Sequence, residues 1–410
     1  MYKDRVSKYV LESLLQELEF ETVKEMENRI SNINLYKKTV NKKARVYQAA
    51  PNRILLDPND KDQDMFAKLV DTINLDTSMK KTNKYTEAFR NCLVFVRPYK
   101  DHRESTPESP KFRYEIRILP PHMFDVIEDS ENPERIRAVI LSDFEDNRGS
   151  GFTIDSFERD QRKIQSSFRD GDGKDQIIAD SPQDRKKTYT VWSDRYHFTI
   201  NSKGEQVAGP DDLLNPIGVL PFVSFAKDQD GSFWSIGGED LIDGTVLMNT
   251  LLTDLYFISK VQGMGIFYLF GKGVPKQLRI GPNRAITMDI EEDDPTPSIG
   301  FANSSPPLNA HMEMIEQYVA LLLTTNDLGV NAVASKLDGR TAISGVQELI
   351  QNSEPMNAIE DDQESFKDLE PLIIDLAVRW HNYFEGKSAL TSDLQDMGQL
   401  SNYKYTMQFV

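Results

Sequence analysis

The sequence predicts a mixed α+β fold, elongated and built of several parts. Apolar residues recur at helical spacing over residues 6–48, shift toward period two from Leu93, and return to helical spacing after Gly238. Between the first two of these later helices lies a compact stretch rich in Gly and Pro. A chain of 410 residues with 39% hydrophobic content is long enough for two or three domains and apolar enough to bury a core.

The first segment places Val6, Val10, Leu14, Leu15 and Leu18, then Met26, Ile30, Ile33 and Tyr36, on one helical face. Pro51 and Pro58 punctuate a loop, and helices are expected over Asp64 to Leu75 and Tyr85 to Cys92. Tyr114, Ile116 and Ile118 alternate with Glu115 and Arg117 until Pro120-Pro121 stops the strand. Phe124 to Ile127 and Ile136 to Leu141 flank a turn at Asp129 to Pro133, which predicts a hairpin or meander. Residues 144–187 are polar and mixed in sign, a long peripheral insertion. Strands resume at Thr188 to Trp192 and Tyr196 to Ile200, followed by a turn at Asn201 to Gly204.

An apolar strand, Val219 to Phe225, is entered through Pro216 and Gly218 and leads by a polar loop (Asp228 to Gly231) to Gly237-Gly238-Glu239-Asp240. There a helix starts, with Leu241, Leu247, Leu251, Leu252, Leu255 and Ile258 at helical spacing. Glu239, Asp240 and Asp243 lie in its first turns, where carboxylates complement the positive end of the helix dipole. Three short strands are expected at Phe267 to Phe270, Leu278 to Ile280 and Ala285 to Met288, ending in the acidic run Asp289, Glu291, Glu292, Asp293 and Asp294. A second helix follows Pro306-Pro307, striped by Leu308, Met312, Ile315, Val319, Leu322 and Leu323. After a loop of small and polar residues, a long helix interrupted at Pro355 covers about 341–385, and a strand over Tyr403 to Phe409 closes the chain.

Charge and chemistry narrow the function. A net charge of −17, from 48 basic and 65 acidic residues, argues against gripping nucleic acid by counterion release. It suits a wall that surrounds DNA without holding it, and it would also serve solubility alone. The single cysteine, Cys92, excludes an internal disulfide and lies in an apolar run, as a buried hydrophobe does. The sequence has no uninterrupted run of about 20 apolar residues, so no membrane span is expected. The charged N-terminal start is unlike a secretory signal, which implies synthesis in the cytoplasm. None of His102, His122, His197, His311 and His381 shows metal-ligand spacing. The Asp57 to Asp64 and Asp170 to Asp175 stretches do not complete a calcium loop, and Gly271-Lys272-Gly273 lacks phosphate-loop spacing. No catalytic residue, metal or cofactor is therefore expected.

The pattern from Asn215-Pro216 through Gly218, Pro221 and Phe225 to Gly238, Asp240 and Leu241, ahead of a long helix, resembles the middle of the portal proteins of tailed bacteriophages. Leu119 to Ile127 with Ile136 to Leu141 is similar to the portal wing, and Ile343-Ser344-Gly345 to the step opening its long helix. The resemblance spans nearly the whole chain. It implies a wing over 1–236, a first stem helix over 237–261, a clip over 262–307 and a second stem helix over 308–328. A tunnel loop at 329–343 and a long wing helix with closing strand at 344–410 complete it. Many portals carry a helical crown after that strand, whereas the sequence here stops at Val410, so either the crown is absent or the sequence is truncated.

The resemblance implies a non-enzymatic ring of twelve subunits at one capsid vertex of the virion, assembled in the host cytoplasm. Double-stranded DNA would pass through it without sequence specificity. Further partners would be the large terminase, head-completion and adaptor proteins, and the major capsid and scaffolding proteins. Asn331, Ser335, Lys336, Asp338 and Arg340 would line the channel, the two cations touching the DNA backbone. The acidic run Asp289 to Asp294 would dock the motor. Leu247, Leu251, Leu255, Ile315, Val319 and Leu322 would form the subunit interface, unless they build a core within one chain. Two alternatives stand beside this: a metal-dependent hydrolase using the acidic clusters, and a monomeric scaffold or adaptor.

Overall fold

The computed structural model describes residues 5–26, 29–56, 60–106, 109–142, 188–201, 203–208, 213–227, 229, 231–263, 266–270, 298–302, 308–326, 328 and 345–409. The elements in order are α1 (Val6–Glu17), α2 (Phe20–Met26), α3 (Leu35–Lys43), β1 (Asn52–Leu55), α4 (Asp60–Thr72) and α5 (Leu75–Phe89). Strands β2 (Asn91–Lys100), β3 (Phe112–Leu119), β4 (Phe124–Glu128), β5 (Ile136–Ser142), β6 (Thr188–Ser193), β7 (His197–Asn201), β8 (Gln206–Ala208) and β9 (Phe222–Ala226) follow. Then come α6 (Glu239–Gly263), β10 (Ile266–Phe270), β11 (Ser298–Ala302), α7 (Leu308–Thr324), α8 (Gly345–Glu385), α9 (Ser392–Gln395) and β12 (Tyr405–Gln408). The fold is mixed α and β, 48% helix and 22% strand. Two compact units emerge, one of residues 34–242 and 323–410, the other of 5–33 and 243–322.

In the larger unit β2 is the middle strand of an antiparallel sheet of order β3-β2-β9. Its Asn91 to Val96 are buried without alternation, because α5 and α8 both pack against it. The indole N–H of Trp380 on α8 donates to the Val96 carbonyl at 2.8 Å, pinning helix to strand. Strands β4 to β8 form a five-stranded meander, with the expected hairpins β4–β5 and β6–β7 in register. Arg90, left-handed at φ 63°, ends α5 and turns the chain into β2, so Cys92 lies in a strand and not at the end of a helix. Cys92 is fully buried, and burial pushes its thiol up to about 12.

Two further expectations are corrected. The loop expected between Pro51 and Pro58 contains β1, which pairs antiparallel with β12 over Asn52–Gln408 to Leu55–Tyr405. Four residues carry too little periodicity to announce a strand whose partner lies some 350 residues on. Helix α8 also runs unbroken through Pro355, which lacks the N–H for one helical bond but leaves the helix on either side intact.

Next to this β-ribbon the carboxylate of Glu370, fully buried, is the acceptor of a closed network. It takes bonds from Tyr47 Oη at 2.6 Å, Tyr405 Oη at 3.0 Å, and Arg53 Nε and Nη2 at 2.6 and 3.0 Å. Burial, then the adjacent negative charge of Glu370, drives both tyrosines far above their ordinary range. The network ties residues 47 and 53 to α8 and β12.

In the smaller unit α1 buries Val6, Val10, Leu11 and Leu14, and β10 and β11 form an antiparallel two-stranded ribbon from Ile266–Ala302 to Phe270–Ser298. Of the three strands expected in this module only the first is described. Leu278 to Ile280 and Ala285 to Met288 lie outside the described residues.

Candidate assembly surface

Helix α6 buries polar residues alongside the apolar Leu241 and Met248. Its buried face carries Thr245, Asn249 and Thr253, spaced i, i+4, i+8, each at most 1% exposed. Every polar atom of Asn249 is used. Its Oδ1 accepts from Ser31 Oγ at 2.8 Å and the Ile33 N–H at 2.7 Å, and its Nδ2 donates to the Ile33 and Thr245 carbonyls at 2.8 and 2.7 Å. Thr253 Oγ1 accepts from the Ser31 N–H at 3.0 Å and donates to the Asn249 carbonyl at 2.7 Å. Thus the extended segment 31–33 is strapped along α6 by a polar seam. Near the end of α1, Asp254 is raised by its burial and then by the charge of Glu17.

Helix α7 meets α6 where Gly244 removes a side chain. A Cβ at Gly244 would lie 2.5 Å from Leu322 Cδ2 and 3.1 Å from Tyr318 Oη, so any side chain there would have to push the Leu322 side chain aside. Ile315 and Leu322 of α7 are buried.

With the inner faces satisfied, large apolar side chains point outward. Leu247 and Tyr256 on α6, and Met312, Met314 and Leu321 on α7, are all at least 40% exposed, Leu321 reaching 64%. Exposed Glu313 and Glu316 lie among those on α7. A single exposed Leu is ordinary, and here five large apolar residues on two helices of one unit are exposed.

The structure divides the six stem residues expected at a subunit interface. Leu247 is exposed, Leu251, Leu255 and Val319 are half-buried, while Ile315 and Leu322 belong to the core within the chain. Tyr256, Met314 and Leu321 are exposed but lie outside the expected stripe, because a stripe drawn through leucines follows the centre of the apolar face and not its outer edge. The Thr245, Asn249, Thr253 spacing was the available signal that polar residues occupy the inner face. The channel candidates Asn331, Ser335, Lys336, Asp338 and Arg340 and the acidic run Asp289, Glu291, Glu292, Asp293 and Asp294 lie outside the described residues. Among the described residues no three His, Cys, Asp or Glu side chains gather as metal ligands.

Helix α6 bears on the expectation about membrane spans without overturning it, because the core helix of a soluble protein meets the same length and composition test. Over Glu239–Ser259 it is long and apolar enough to cross a bilayer by length and composition, since that criterion tolerates isolated charges. Asp243, exposed, and Asp254, half-buried, lie on the same helix, and carboxylates are costly in hydrocarbon.

No protein-family model matches the chain, and no curated protein matches it.

Proposed function

We propose that this chain is the repeating subunit of a portal-type ring, a passive channel for double-stranded DNA at one capsid vertex. The observation that carries the reading is the outward apolar surface on α6 and α7, over an inner face whose polar groups are already satisfied. Such a surface is stable in water when a second copy covers it. Asp243 and Asp254 on α6 favour a protein partner over lipid. Repetition of one head-to-tail contact closes a ring, provided the patch on one side of the subunit fits a different patch on the next.

In this reading the work is geometric. A chain of net charge −17 lines a conduit that repels phosphates and lets DNA slide without sequence readout. Lys336 and Arg340 offer the few backbone contacts, and the acidic run at 289–294 receives the terminase motor, which supplies ATP hydrolysis. Head-completion, capsid and scaffolding proteins meet the ring's outer surfaces.

Native mass by mass photometry, with negative-stain imaging of the same sample, tests this. Twelve copies of the 46.9 kDa chain give a particle of about 560 kDa with a central hole. Replacing Met314 and Leu321 together by Glu should return the protein to monomers that melt at the parent temperature. A chain that stays monomeric at high concentration and varied salt overturns the proposal, as does one that partitions into lipid vesicles.

A further inference from the structure

The larger unit contains a cavity of about 410 Å³ between its two main sheets and α8, within the size range of small-molecule sites. Its walls follow from strand register. Directly opposed residues of an antiparallel pair share a face, so Leu93–Leu119, Phe95–Arg117 and Arg97–Glu115 rise in order along one side of β2 and β3. The first pair is apolar and buried. In the last, Arg97 Nε holds Glu115 Oε1 at 2.7 Å. Between them Arg117 lines the cavity beside Phe95, exposed at its mouth, and pairs with no carboxylate among the described residues. Glu115 is already engaged by Arg97, so the sheet leaves one guanidinium unspent.

The opposing wall comes from β5 to β7, where Leu141 faces Thr190 and Trp192 faces His197 in register. The Trp192 and His197 rings stack with centroids 3.6 Å apart. Burial lowers the His197 pKa, leaving the imidazole neutral at pH 7. The Trp192 indole N–H makes no hydrogen bond among the described residues, although Trp192 is only 5% exposed. Trp380 and Phe384 of α8 close the third side, stacked at 5.8 Å.

The enclosure is therefore aromatic on three sides, and two of its donors, the Arg117 guanidinium and the Trp192 N–H, have no partner among the described residues. An occupant with a matching apolar body and an acceptor head would satisfy both. We infer that this cavity binds a small carboxylate with an aromatic or aliphatic body, its ring or chain between the sheets and its carboxylate on Arg117. This requires no assembly, and a monomer suffices to test it, so its failure leaves the ring reading untouched.

The experiment is isothermal titration calorimetry of the purified chain at pH 7.5 with 4-phenylbutyrate and with its uncharged amide. A hydrogen bond to a charged group strengthens binding, and the exposure of Arg117 keeps that gain to about a factor of ten. Saturable binding of one acid per chain is expected, with the amide about tenfold weaker. Arg117→Gln should weaken the acid about tenfold and leave the amide unchanged, because that exposed side chain has no partner among the described residues to lose. Met123→Trp, which fills the cavity from its edge, should abolish binding of both. Equal affinity for acid and amide overturns the inference, as does Arg117→Gln that binds the acid like the parent. Absence of saturable binding to either probe overturns it too, since the cavity is then closed or filled by protein.

Discussion

Replacing Glu370 by Ala removes the shared acceptor of the larger unit's most heavily used polar network. Two tyrosine hydroxyls lose their partner and the side chain of Arg53, only 7% exposed, loses its bidentate one. Breaking a buried ion pair from one side costs about 3–5 kcal/mol, because the remaining charge stays buried and uncompensated. Arg53 keeps Asp76 at 2.7 Å, which moderates that loss, while the orphaned hydroxyls add to it. The sum is about 4 kcal/mol, a large part of the 5–15 kcal/mol that holds a domain folded. Urea unfolding followed by tryptophan fluorescence reports it directly, because Trp192, Trp234 and Trp380 all belong to this unit. The double variant Glu370→Ala with Arg53→Met should cost clearly less than the sum of the two single changes, since the second removes the charge the first leaves bare. A loss below about 1 kcal/mol for Glu370→Ala, or strict additivity in the double variant, refutes the argument.

Three other perturbations follow from the same structure. Asp362 shares Lys227 with Glu87, and burial first, then Glu87, raises it to about 7 against the lowering effect of Lys227. The folded chain keeps a proton that the unfolded chain releases near pH 4, so this contribution is complete below pH 4 and is lost as pH rises toward 7. Asp362→Asn should flatten that part of a stability-against-pH curve, and an unchanged slope between pH 4 and 7 counts against it. Gly244→Val drives a branched side chain into Leu322 and Tyr318 and should cost about 1–3 kcal/mol, seen as faster amide exchange in α7. Unchanged exchange there would mean the helices do not meet at Gly244. Cys92, fully buried with its thiol pushed up to about 12, should resist Ellman's reagent at pH 8 in the native protein and react once per chain in urea. Rapid native labelling would show that β2 is not covered on both faces.

The local order of the fold was legible in the sequence wherever a signal completes itself over a few residues. Alternation gave β3 away at Tyr114 to Ile118, the Asp129 to Pro133 turn marked the β4–β5 hairpin, and leucine spacing marked α6. The burial of Cys92 followed from its apolar neighbours. What stayed hidden depends on residues far apart. β1 is a strand because β12 lies beside it, and Asn52 to Leu55 alone are too short and too mixed to say so. Arg117 reads simply as the polar half of an alternating strand, and its importance depends on Glu115 having turned to Arg97. The same limit governs the stem residues. Period 3.6 locates the apolar residues of a helix, but which side is inner depends on what packs against it. Here segment 31–33 claims the Thr245, Asn249, Thr253 edge, and Leu322 claims Gly244. Sequence by itself thus determined the types of the elements with a complete local signal and, through its one cysteine, the absence of an internal disulfide. Tertiary structure decided which apolar residues are left facing water, because exposure is settled by neighbours distant in the chain.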